Sequence, residues 1–185
     1  MRKTRDLVLT ALFAALVAVG AFLRVPLPAI PFTLQFLFTA LAGILLGSRR
    51  GAISVACYVI IGLVGFPVFT AGGGPSYIFH PTFGYLPAFI VGAWVIGRIA
   101  EQSPAPSVKR LLAASLIGLA LVLVIGAVYY WMICTFYLGT PVGARALAVT
   151  CFLAVLPGDL VQCVLAAVLG SRVAPVLRRG EAARA

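Results

Sequence analysis

Six apolar runs, at 7–23, 32–47, 52–71, 83–97, 111–138 and 146–170, constrain this chain more than any other feature. Short segments between them hold nearly all of its charge. A bilayer core takes about 20 apolar residues per helix. The runs are therefore expected to fold as six transmembrane helices of an all-α integral membrane protein, with 1–185 a single transmembrane domain. Hydrophobic residues make up 63% of the chain and charged ones 10%. Soluble domains carry about 45–50% and about 25%, which excludes an ordinary soluble enzyme, a disordered tail and a nucleic-acid reader. The start, Met1-Arg2-Lys3-Thr4-Arg5, also suits a secretory signal. The run after it is longer than the usual apolar region of about 7–15 residues, so it is read as the first span.

The net charge of +10 follows the same pattern. With six spans, twelve of the fourteen Lys and Arg fall on the side of the termini and only Arg24 and Arg145 on the other. Basic residues mark the cytoplasmic side of a membrane protein. Both termini are thus expected to be cytoplasmic, with loops near 24–32, 70–82 and 139–145 outside. The only lysines are Lys3 and Lys109, neither following a glycine. A phosphate-binding loop needs Gly-Lys-Ser/Thr, so the chain does not hydrolyse ATP by that motif. Cys57, Cys134, Cys151 and Cys163 have no metal-ligand spacing, and His80 is the single histidine. No metal site is expected, and the cysteines read as small buried hydrophobes.

Asp159 is the one acidic residue inside a run. A carboxylate at mid-helix costs about 2.5–3.5 kcal/mol on insertion scales, which makes it a functional candidate. The alternatives are pairing with Arg24 or capping of a helix segment after a break at Pro157-Gly158. Gln162, one turn on, shares its face. An intramembrane enzyme would need more than this one acid to hold a metal or form an acid/base pair. Thr33 and Gln35 open the second run and can bind a ligand or cap a helix. Gly73 and Gly74, in the loop before Tyr77, His80, Thr82 and Tyr85, offer either backbone contact with a ligand or a hinge. Phe32, Phe36, Tyr85, Phe89 and Trp131 suit either a pocket wall or a lipid-facing belt. Ala11, Ala14, Ala15 and Ala18 form small-xxx-small pairs, suited to internal packing or to docking another membrane protein.

Taken in order, Pro31-Phe32-Thr33-Leu34-Gln35, Leu41-Ala42-Gly43-Ile44-Leu45-Leu46-Gly47, Gly62-Leu63-Val64-Gly65-Phe66-Pro67-Val68-Phe69, Gly72-Gly73-Gly74, Pro81-Thr82-Phe83-Gly84-Tyr85-Leu86 and Pro157-Gly158-Asp159-Leu160 resemble the BioY family. Its members are biotin-specific S components of energy-coupling factor (ECF) transporters. The resemblance spans nearly the whole chain, is most specific over 31–86 and is weakest over 99–145. It implies a six-helix S-component bundle in a prokaryotic cell membrane, with biotin as ligand, no cofactor and no enzymatic activity. It also implies a partner module of one transmembrane coupling protein and two ATPases, docked on the alanines of the first helix. The binding residues expected are Asp159, Gln162, Thr33, Gln35, Tyr85, Gly73, Gly74 and Arg24. The family pattern often carries a basic residue where this chain has Gln162. Other readings are an S component for a different vitamin, or a solitary oligomeric carrier.

Overall fold

The computed structural model describes residues 2–26, 30–103 and 105–182, with side chains over 4–26, 30–103 and 105–177. Pro28, Pro104, Arg184 and the side chains of Arg2, Lys3, Arg178 and Arg179 lie outside these residues. The helices are α1 (Arg2–Phe22), α2 (Gln35–Leu46), α3 (Ser48–Val64), α4 (Tyr85–Ala100), α5 (Val108–Met132), α6 (Ala144–Ala148) and α7 (Leu156–Ala182). One antiparallel ribbon, β1 (Arg24–Val25) with β2 (Phe32–Thr33), bridges α1 to α2 in the register Arg24↔Thr33 and Val25↔Phe32.

The all-helical expectation holds, but the spans differ in length. Among the described residues, Thr4–Phe22, Pro81–Ala100, Val108–Tyr137 and Ala144–Leu177 are long and apolar enough to cross a membrane. The 12-residue α2 is not. At about 1.5 Å per residue it covers about 18 Å, because the start of the 32–47 run is spent on β2. Instead α2 sits centrally, packed against α1, α3, α4 and α7. Irregular backbone at membrane depth is tolerated where protein surrounds it. The 52–71 run is likewise cut short, since α3 ends at Val64.

Between α2 and α3 there is only Gly47, at φ +85°. Glycine occupies that region without a Cβ penalty. Glu101, just past α4, clamps this corner: its carboxylate accepts from the Ser48 N–H and hydroxyl, both at 2.8 Å. At the same end, Arg50 pairs with Asp6 at 2.5 Å and Arg5 donates to the Leu177 carbonyl at 3.4 Å. The starts of α1 and α3 and the ends of α4 and α7 therefore meet at one end of the bundle.

α1 packs on α2 and α3 through Phe13, Ala14, Val17, Gly20 and Ala21. This divides the four alanines. Ala14 is buried, Ala11 and Ala15 are exposed, and Ala18 is half-buried. Ala14 is thus corrected from the docking set to the bundle interior, because it falls in helical register with Val17 and Ala21.

The last run carries a second correction. Its irregular turn lies at Val149–Leu153, ahead of Pro157-Gly158. Pro157 is the second residue of α7, where a missing N–H interrupts no helical bond. Asp159 stands in the first turn of α7, its N–H donating to the Val155 carbonyl at 3.0 Å. Negative charge is stabilised at a helix N-terminus.

Candidate ligand cavity

A cavity of about 610 Å³, counting its open mouth, is enclosed by α2, α4, α5, the start of α7 and the two loops at the end of the bundle away from the Glu101 clamp. Small-molecule sites are mostly apolar with a few placed polar groups. Phe32, Phe36, Phe89, Leu119, Val122 and Val155 supply apolar wall. The polar lining is Thr33, Gln35, Thr70, Tyr77, Thr82, Tyr85 and Asp159. Asp159 lies about 22 Å along the helical segment from Ala144, at about 1.5 Å per residue. It lines the cavity from the start of α7, while Thr70 and Tyr77 belong to the loop between α3 and α4.

Three hydrogen bonds brace this side of the lining. Gln162, 1% exposed, donates to Asp159 Oδ1 at 2.9 Å and to the Thr33 carbonyl at 3.0 Å. Its Oε1 accepts from the Leu37 N–H at 2.9 Å. Gln162 therefore does not line the cavity. Three residues beyond Asp159, it points at the start of α2 and fastens Asp159 Oδ1 to it.

Gln35 does line the cavity. It donates to the Tyr58 hydroxyl at 2.8 Å, and Tyr58 donates to the Val68 carbonyl at 3.1 Å. The Thr33 hydroxyl donates to Gln35 Oε1 at 3.3 Å. The Tyr85 hydroxyl is buried without a nitrogen or oxygen partner among the described residues, and the Cys151 thiol, a weak acceptor, stands beside it. A buried unpaired hydroxyl is costly, so a lining residue of this kind suits a ligand's polar atom. Two glycines make room for the rings. A Cβ at Gly126 would overlap Tyr85, and one at Gly158 would overlap Phe32.

At the mouth runs a hydroxyl relay. Thr70 Oγ1 lies 3.1 Å from the Tyr77 hydroxyl, which lies 3.3 Å from Thr82 Oγ1, in turn 2.8 Å from His80 Nδ1. The Thr82 N–H donates to the same Nδ1 at 3.3 Å, so that nitrogen acts as an acceptor. Burial holds the His80 imidazole below its usual pKa, in agreement with the neutral ring.

Arg24, Gly73 and Gly74 stand outside the lining. Arg24 is exposed and donates to the Thr70 carbonyl, tethering the loop to β1. Gly74 donates to the Gly62 carbonyl at 2.7 Å, and a Cβ at Gly73 would overlap the Phe66 carbonyl. These glycines serve close packing of the loop on the end of α3. Trp131 is also outside, meeting Phe136 edge-on at 5.6 Å. Thr70, Leu119, Val122 and Val155 line the cavity without any signal in the sequence, since each lies in an apolar stretch or an unremarkable loop.

Bundle and cavity together define a multi-pass membrane protein with a cavity between its helices and two capping loops. The BioY family model matches residues 1–179. The probable biotin transporter BioY of Lysinibacillus sphaericus is 40% identical over 181 residues, covering 98% of this chain and 92% of that protein. The biotin transporter BioY of Thermotoga maritima is 42% identical over 123 residues, 66% of this chain and 72% of that one. A solved structure described as the S-component for biotin from an ECF-type ABC transporter superposes with a TM-score of 0.80 at 26% identity, over 93% of this chain and 92% of that chain. The chain belongs to the BioY family.

Proposed function

We propose that this chain is the S component of an ECF transporter and captures biotin. The observation that carries this reading is the Asp159 carboxylate in the lining of a largely apolar cavity, in a BioY-family chain. Biotin presents two ureido N–H donors, one ureido carbonyl, an apolar fused ring and a flexible acid tail. Asp159 accepts from one ureido N–H, and Gln162 holds the carboxylate in position. The Tyr85 hydroxyl and the Gln35 amide supply donors to the ureido carbonyl, and Phe32, Phe36 and Phe89 enclose the ring. None of these steps needs a cofactor.

The bundle lies in the cell membrane of a prokaryote with both termini cytoplasmic, a reading the charge asymmetry supports, and the cavity opens outward. The exposed side of α1 bearing Ala11 and Ala15, with Ala18 at its edge, docks on a transmembrane coupling protein. Two partner ATPases then drive release of biotin inside.

Labelled-biotin uptake by cells lacking their own biotin transporter tests the reading. Uptake is expected when the chain is produced together with a coupling protein and its ATPases, and is expected to stop when the ATPases are inactivated. Uptake that persists without the ATPases would contradict the S-component assignment and favour a solitary carrier.

A further inference from the structure

The charges around the cavity are one-sided. One carboxylate, Asp159, stands in its lining, and no Lys, Arg or His stands among the described lining residues. The one amide placed to assist Asp159 is already committed, since Gln162 spends its donors on Asp159 and Thr33 and its acceptor on Leu37. A ligand carboxylate drawn down beside Asp159 would bring like charges together, away from water and without a counter-ion, and buried unpaired charge is strongly disfavoured. At the mouth the setting differs. Thr70, half-buried, and the buried Tyr77 and Thr82 offer hydroxyls there, and the neighbouring Arg24 is exposed to water. Arg24 is the cation the structure ties to this rim, exposed and already bonded to the Thr70 carbonyl. Exposed charge pairs are weak and screened by salt.

We infer that this cavity selects its ligand by the uncharged ureido head and not by the tail carboxylate, so that neutral biotin esters and amides bind it about as well as the free acid. The inference rests on the biotin reading above. The head lies at Asp159, the tail runs toward the mouth, and the tail's end group stays in contact with water. The ligand class is then ureido-headed bicycles with acid, ester or amide tails. Pentanoate, a tail without a head, does not compete.

Calorimetric titration of the purified chain in detergent at physiological salt, with biotin, biotin methyl ester and biotinamide, tests this. The three dissociation constants are expected to agree within about tenfold, a span that an exposed pair does not exceed. Biotin binding with both neutral derivatives weakened more than tenfold would overturn the inference while leaving the biotin reading intact. Failure of all three to bind a folded chain would overturn both. Arg24→Gln supplies a second readout that loop destabilisation does not distort, the acid-to-ester ratio. It is expected to shift only a few-fold; a shift beyond tenfold would place carboxylate recognition on Arg24 and refute the inference.

Discussion

Replacing Gln162 with leucine removes one side chain but three hydrogen bonds, those to Asp159, the Thr33 carbonyl and the Leu37 N–H. All three lie behind the cavity lining, where water does not replace them. Side-chain hydrogen bonds within membrane proteins are worth about 0.6 kcal/mol on average and about 1.7 at most. Three of them total about 2 to 5 kcal/mol, and the apolar contacts of leucine offset part of that. A net loss of about 2–3 kcal/mol is expected, read as a lowered Tm in detergent. Binding suffers separately, because Asp159 is released to turn toward the cavity or toward Thr33. Biotin affinity is expected to fall at least tenfold, or about 1.4 kcal/mol. Gln162→Glu separates geometry from size. It retains the acceptor for Leu37 but has no N–H for Thr33 or Asp159, and it sets a second carboxylate against the first. Affinity should therefore fall in the order Gln, Leu, Glu. Wild-type Tm and affinity in the leucine variant, or glutamate binding as well as glutamine, would refute the positioning role.

Three further outcomes follow from the same geometry. Ala11→Leu with Ala15→Leu is expected to leave biotin binding intact and abolish ATP-driven uptake, whereas Ala14→Leu overpacks the interior and lowers the Tm by an amount equivalent to about 1–3 kcal/mol; equal effects at all three sites would contradict the division of α1 into inner and outer faces. Gly126→Ala drives a methyl group into the Tyr85 ring and is expected to weaken biotin binding about tenfold, with little change if Tyr85 is not a wall of the bound site. His80 is held below its usual pKa of 6.5 by burial, so the unfolded loop binds its proton first. Loop stability should then be constant above about 6.5 and fall as the pH drops from there to the folded value. Protection factors over 75–84, with the intrinsic pH dependence of exchange divided out, are expected to fall in that window, and unchanged protection factors would remove His80 from the relay.

The sequence made some parts of this molecule legible for definite physical reasons. Long apolar runs mark bilayer helices whatever their packing. A lone carboxylate in such a run is expensive enough to single out Asp159. Other parts were hidden. Hydropathy counts apolar residues without regard to backbone, so it assigned β2 and the loop after α3 to spans. In a bilayer the lipid-facing and core-facing sides of a helix are both apolar, so no amphipathic pattern distinguished Ala14 from Ala11. Gln162 shares a face with Asp159 by spacing, but its partners Thr33 and Leu37 lie more than a hundred residues away, and only the tertiary fold turns it from a ligand contact into a support. Gly73 and Gly74 carried the ambiguity of every glycine-rich loop, and the close approach they permit is to Phe66 and Gly62.

The central claim is that Asp159 anchors biotin in this cavity. Calorimetric titration of biotin into the purified chain, with Asp159→Ala and Asp159→Asn alongside, tests it most directly. The account predicts saturable one-to-one binding by the wild type, a loss of at least a hundredfold in the alanine variant and an intermediate loss for asparagine, which keeps one acceptor oxygen. Wild-type affinity in a folded Asp159→Ala variant would contradict it.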